Sequence, residues 1–115
     1  MSIADEFCKA LDRGIAELSD DEWSVTKIRE RALIGVAPND AFGSISGVLN
    51  LAGKQSDEYA FVSCCWFAMD LVRLSDTTEP PSGVAEVLIS LQPAAKRFGA
   101  ANELKNIANW YRLTI

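Results

Sequence analysis

One segment of the sequence carries side chains suited to recognising another protein. It spans residues 56–75, SDEYAFVSCCWFAMDLVRLS, in which Tyr59, Ser63, Trp66, Asp70 and Arg73 follow at spacings of four, three, four and three. At about 100° per residue, these spacings place all five on one stripe of a helix, here named the Trp66 stripe. Tyr, Trp and Arg are the residue types enriched at interface hot spots, so the stripe predicts a contact surface for a partner.

A second interpretation of the Trp66 stripe is purely structural. Asp70 and Arg73 are three residues apart and can form an ion pair along one helix face. Another helix would then cover the stripe, with Trp66 as a packing residue. The sequence leaves both interpretations open, and the exposure of Trp66 decides between them.

Clustered carboxylates are the next groups able to do chemistry. Asp20, Asp21 and Glu22 form one cluster, and Asp57 and Glu58 form another. Both lie where helices are expected to begin, and carboxylates there interact favourably with the helix dipole. The alternative is an acidic surface that complements a basic partner. Neither cluster has the spacing of a calcium loop or an accompanying aromatic platform, so we expect neither metal binding nor acid–base catalysis.

Nucleophilic and metal chemistry is disfavoured by the side chains available. Histidine is absent, which removes the commonest general base and the commonest metal ligand. Cys8, Cys64 and Cys65 lack metal-ligand spacing, and the last two lie in an apolar helix without an activating neighbour. We therefore expect buried core cysteines. No glycine-rich phosphate-binding loop is present either, so we predict a protein without enzymatic activity, metal or cofactor.

The charge balance narrows the partner class. The chain has 115 residues and a net charge of −5, all of which falls in residues 1–58. Nucleic acids and anionic membrane surfaces would repel it, so we expect neither as a partner. No apolar run reaches membrane-spanning length, and the charged N-terminal segment is not typical of a signal peptide. With three cysteines and no disulfide framework, these features predict a cytoplasmic protein.

Six predicted helices must position these groups within a single domain spanning residues 1–115. Apolar periodicity places them at about residues 2–18, 20–36, 40–52, 56–75, 82–98 and 101–113. The fourth is apolar over about two thirds of its circumference, so other helices must surround it. The sequence therefore predicts an all-α protein, a compact bundle of antiparallel helix pairs.

Several residues predict local details of these helices. Ser56 is expected to cap the fourth helix, and Pro93 to kink or split the fifth, which Gly99 ends. Gly43 and Gly47 either permit close helix approach or mark an irregular segment. The polar, proline-rich residues 75–83 predict a loop.

The three tryptophans suggest an alternative organisation. Trp23, Trp66 and Trp110 are spaced by 43 and 44 residues, which is within the range of two-helix repeats. The flanking residues match poorly, so three helical-hairpin repeats remain the less favoured alternative to an irregular six-helix bundle.

Together these observations predict a small acidic cytoplasmic protein that acts by occupying a partner. An immunity-type or antitoxin-type inhibitor of a basic toxin is the specific hypothesis. It would use the acidic clusters for charge complementarity and the Trp66 stripe for anchoring. Two other classes stay open: a helical scaffold, adaptor or homo-oligomer, and a small-molecule binder or carboxylate-based enzyme.

Overall fold

The computed structural model describes residues 3–17 and 23–115, in which all regular secondary structure is α-helical. The helices are α1 (Ile3–Glu17), α2 (Trp23–Leu33), α3 (Pro38–Gly53), α4 (Glu58–Ser75), α5 (Val84–Phe98) and α6 (Ala101–Trp110). Within those residues there is no β-strand. Consecutive helices pack together as α1 with α2, α3 with α4, and α5 with α6. The predicted all-α bundle is confirmed.

The fourth helix is the centre of the bundle, as its composition predicts. Its Phe67 ring stacks on Phe7 of α1 with the ring centroids 4.1 Å apart. Its Phe61 ring meets Phe98 of α5 at 5.4 Å. α4 also packs along α3, and it contacts both α2 and α6. Because it meets all five other helices, it can bury ten of its residues, including both phenylalanines.

The ends of α4 are fixed by two aspartates. Asp57 is the N-cap, and its carboxylate accepts a hydrogen bond from the Ala60 amide at 3.0 Å. The expectation that Ser56 caps this helix is therefore wrong, because the aspartate one residue later reaches the first turn. At the other end, Asp76 adopts the left-handed conformation with φ 53°, which ends the helix after Ser75.

Close approach between α3 and α1 depends on one of the two predicted glycines. A Cβ added to Gly47 would lie 3.5 Å from the Ala4 side chain, whereas one added to Gly43 would meet nothing within 4 Å. Gly47 is therefore at a helix–helix contact and Gly43 faces open space. Both lie within the regular helix α3, so this segment is not irregular.

The last two helices are joined and anchored by specific residues. Gly99 ends α5 in the left-handed conformation with φ 69°, as predicted. The indole Nε1 of Trp110 donates to the Thr77 carbonyl at 2.8 Å and thereby anchors the loop of residues 76–83. Tyr111 is buried beside it. Trp66 of α4 meets Glu103 of α6, and Thr77 meets Trp110 further on, so α6 runs along α4 in the same direction.

Tryptophan environments do not confirm the three-repeat alternative. Trp66 is exposed and bonds to a side chain on α6, whereas Trp110 is half-buried and bonds to a loop carbonyl. Equivalent residues of a true repeat would share their surroundings. The side chain of Trp23 lies outside the described part of the structure.

Pro93 does not split α5, which is continuous from Val84 to Phe98. Leu91 and Ala95, two residues before and after the proline, are both buried. Their packing holds the helix together across the backbone hydrogen bond that proline cannot donate.

We expect Pro93→Ala to stabilise the protein by about 1–2 kcal/mol. Proline costs about 3 kcal/mol relative to alanine inside a helix, and the more flexible unfolded chain of the alanine variant offsets about 1 kcal/mol of that gain. Pro93 is exposed, so no packing is lost. Urea unfolding measures the change, with the exposed neighbour Gln92→Ala as a control expected to change stability by less than about 0.5 kcal/mol. A loss of stability in Pro93→Ala would contradict this account.

None of the helices within residues 3–17 and 23–115 has the length and apolarity needed to cross a bilayer.

Candidate functional site

Three helices that are distant in sequence form a cleft around Trp66. The central helix α4 supplies Trp66, and α2 and α6 each contribute residues from either side. The volume of this Trp66 cleft is about 210 Å³. The described residues that line it are Arg29, Cys65, Trp66, Met69, Arg73, Glu103 and Asn106.

One wall of the cleft is built on an ion pair between α2 and α4. The Arg29 Nε donates to Asp70 Oδ2 at 2.8 Å, and Nη2 donates to Oδ1 at 3.0 Å. The Arg29 and Asp70 side chains are only 22% and 15% exposed, respectively. The predicted pairing of Asp70 with Arg73 is therefore wrong. The fork of the Arg29 guanidinium makes two parallel hydrogen bonds to this carboxylate, which is a stronger arrangement than a single contact along one helix.

Trp66 is exposed but held in place from two directions. It is 37% exposed. The guanidinium carbon of Arg29 lies 5.5 Å from the centre of its ring, a distance at which cation–π attraction operates. Its Nε1 donates to Glu103 Oε2 at 3.0 Å. The side chain is therefore ordered before any partner arrives.

Arg73 lies at the opposite end of the cleft from Glu103. It is two helical turns beyond Trp66 on α4, and its side chain is exposed. Within the described part of the chain it forms neither an ion pair nor a hydrogen bond. Asn106 is also exposed and lies one turn beyond Glu103 on α6.

The Trp66 stripe does not form one continuous surface. Ser63 is fully buried, and its hydroxyl donates to the Tyr59 carbonyl at 2.7 Å. Tyr59 is half-buried and packs against the core. The structure therefore brings Trp66, Asp70 and Arg73 together at the cleft and separates Tyr59 from them.

Asp57 and Glu58 are not among the residues that line the cleft. Asp57 caps α4 and Glu58 lies in its first turn, and both are exposed. Their placement agrees with the helix-dipole interpretation. Asp20, Asp21 and Glu22 lie outside the described residues. Among the described residues, the acidic groups at the cleft are Glu103, which lines it, and Asp70, which is paired with Arg29.

The cysteines have the properties of core residues. Cys64 and Cys65 are buried, and Cys8 is half-buried. Burial, with a smaller contribution from the Glu103 carboxylate, raises the pKa of the Cys65 thiol to about 12. A thiol that stays protonated is a poor nucleophile. In residues 3–17 and 23–115, no three Cys, Asp or Glu side chains come together as a metal site requires.

We expect Cys65 to resist alkylation by iodoacetamide at pH 8 in the folded protein. With its pKa at about 12, only about one thiol in 10,000 is ionised at this pH, and the side chain is 1% exposed. Tandem mass spectrometry after a timed reaction measures the modified fraction. The half-buried Cys8 is the internal control and should react faster. Because the pKa is raised from 9.0 to about 12, the rate of alkylation at Cys65 should keep rising above pH 9, where an ordinary thiol is already largely ionised. Rapid modification at pH 8 would contradict the assignment.

The two cleft residues that hold Trp66 in place, Arg29 and Glu103, are missed by the sequence-based prediction. Arg29 and Glu103 complete the surroundings of Trp66, yet they lie 37 residues from it on either side. The sequence does offer a signal for Arg29. It follows Ile28, an apolar residue of the inward face of α2, and this position places its side chain at the edge of that face. Glu103 falls in the first turn of α6, where the helix dipole already explains an acidic residue.

Comparison of the chain with known protein families, curated proteins and solved structures finds no significant match in any of the three. Function is therefore inferred from the geometry of the Trp66 cleft.

Proposed function

We propose that this chain is a small protein-binding domain that acts by occupying a partner, with the Trp66 cleft as its contact surface. The observation that carries the proposal is an exposed tryptophan held rigidly by Arg29 and Glu103. Tryptophan is among the residues that contribute most to binding energy at protein interfaces. A side chain that is already ordered also loses little conformational entropy when it binds.

The size of the cleft favours a protein side chain over a free small molecule. Its volume of about 210 Å³ is below the roughly 300–1,000 Å³ that is typical of pockets for drug-sized ligands. It suits one or two inserted side chains of a partner. At the Trp66 cleft, this volume favours protein binding over a small-molecule or enzyme site.

The more specific hypothesis is an immunity-type or antitoxin-type inhibitor that works in the cytoplasm. The excess of acidic residues in the first half of the chain supports it, because a net charge of −5 attracts basic proteins at long range. In this proposal Asp57 and Glu58, together with Asp20, Asp21 and Glu22, steer the encounter. Trp66 and Arg73 make the close contacts, and Tyr59 lies at the edge.

Affinity capture from a lysate of the source organism tests this role. We expect Trp66→Ala to weaken binding of the specifically captured protein by about 30-fold or more, because truncating a hot-spot residue costs at least about 2 kcal/mol. Ile89→Ala is the matched control, since Ile89 is also a large exposed apolar residue, 52% exposed on α5, and is not part of the cleft.

Two results would count against the proposal. Equal capture by the wild type and Trp66→Ala would remove the cleft as the contact surface. Binding that does not change between low and high salt would exclude charge steering. For the inhibitor hypothesis, the purified chain must abolish the activity of the captured protein at a one-to-one ratio.

A further inference from the structure

Within the described part of the chain, two charged side chains of the Trp66 cleft have no oppositely charged partner. The Arg29–Asp70 pair cancels internally through its two hydrogen bonds. Arg73 has no ion-pair partner in the described part of the chain. Glu103 accepts a hydrogen bond from the Trp66 indole, which is neutral and leaves the negative charge of the carboxylate uncompensated. One cation and one anion are therefore available to a partner.

These two charges lie at opposite ends of the cleft. Glu103 is bound to Trp66, and Arg73 is seven residues beyond Trp66 on α4, which is about 10 Å along the helix axis. Arg73 and Glu103 do not form an ion pair with each other. The cleft is therefore bipolar, with its negative end at Trp66 and its positive end two turns away.

A partner that covers Trp66 must also place an opposite charge near Arg73 and another near Glu103. Removing water from a charged side chain is unfavourable unless an opposite charge replaces the water. We propose that the Trp66 cleft binds a protein segment that carries a basic side chain at the Glu103 end and an acidic side chain at the Arg73 end. This inference rests on the proposed function and specifies the chemistry of the partner.

A second copy of this chain fits the cleft less well. Two bipolar surfaces related by a twofold axis would match in charge. They would nevertheless place one concave surface against another, and close packing at an interface core requires complementary shapes. A protruding segment of a different protein fills the cleft and satisfies both charges.

Selection from a library of random twelve-residue peptides tests the inference on the full-length protein. The wild type is expected to enrich peptides with one basic and one acidic residue at a fixed separation. Arg73→Glu should replace the acidic preference with a basic one at that position only. Glu103→Gln keeps a hydrogen-bond acceptor for Trp66 but lacks the charge, so it should lose only the basic preference.

Two controls sharpen this selection. Lys105→Glu makes the same charge reversal on an exposed residue of α6 outside the cleft, and it should enrich the same peptides as the wild type. A synthetic peptide in which the basic and acidic residues are exchanged should bind the wild type at least about tenfold more weakly than the selected one.

The outcomes separate this inference from the proposed function. Peptides that require Trp66 but show no charge pair, or that are unchanged by Arg73→Glu, would overturn the bipolar assignment and leave the binding role intact. A library without any Trp66-dependent peptide would overturn both. A dimer in light scattering that Arg73→Glu dissociates would identify a second copy as the occupant and overturn the choice of a foreign segment.

Discussion

Replacing Phe67 with alanine should destabilise the protein by about 3–5 kcal/mol, because a large aromatic side chain is lost from the middle of the core. Phe67 is fully buried in the central helix α4, and its ring stacks on Phe7 with centroids 4.1 Å apart. Alanine would leave a cavity between α1 and α4 and remove the stacking. Native domains are stable by only about 5–15 kcal/mol, so urea unfolding should show a large shift of the midpoint.

Phe42→Ala is a suitable comparison for this experiment. Phe42 has the same side chain and also lies in a helix, but it is half-buried and is not among the residues packed against the core. Its replacement should cost less than about 1 kcal/mol. If Phe67→Ala is too unstable to measure, Phe67→Leu should still fold, at a cost of about 1–1.5 kcal/mol. Similar values for Phe67→Ala and Phe42→Ala would show that α4 is not central to stability.

The central position of α4 could be predicted from the sequence because it follows from the apolar circumference of one segment. A helix with so little polar surface has to be surrounded, whatever helices surround it. Two local expectations, the cap at Ser56 and a split of α5 at Pro93, are not met, each for its own reason. Serine and aspartate cap helices about equally well, so the sequence does not choose between the neighbours Ser56 and Asp57, and it is Asp57 that bonds to the first turn of α4. In α5, the buried Leu91 and Ala95 hold the helix together across Pro93.

The functional site could be predicted only in part for a related reason. Periodicity shows which residues share a face of one helix, so Trp66, Asp70 and Arg73 were found together. It does not show how neighbouring helices are rotated or where they cross. The partner of Asp70 is 41 residues away on α2, and the hydrogen-bond partner of Trp66 is 37 residues away on α6. Both choices are made by tertiary packing.

Breaking the Arg29–Asp70 pair should cost about 2–3 kcal/mol and alter the surroundings of Trp66. Asp70→Asn keeps the shape of the side chain but leaves the Arg29 charge without its counter-ion in a largely covered position. The loss should be smaller than the roughly 3–5 kcal/mol of a fully buried pair, because both side chains retain some exposure. Urea unfolding gives the cost. The Trp66 indole proton in NMR spectra reports the displacement of Arg29.

A double-mutant cycle separates the ion pair from the packing of its two side chains. Arg29→Met and Asp70→Leu should each be destabilising, because each leaves one charge largely covered and unpaired. The double variant carries no such charge. Its loss in free energy of unfolding should therefore be smaller than the sum of the two single losses, by at least about 1.5 kcal/mol. It should still bind the partner of Trp66 more weakly, because the cation beside the indole ring is gone. Additive losses would show that Arg29 and Asp70 act independently, and unchanged binding in the folded double variant would show that Arg29 does not position Trp66.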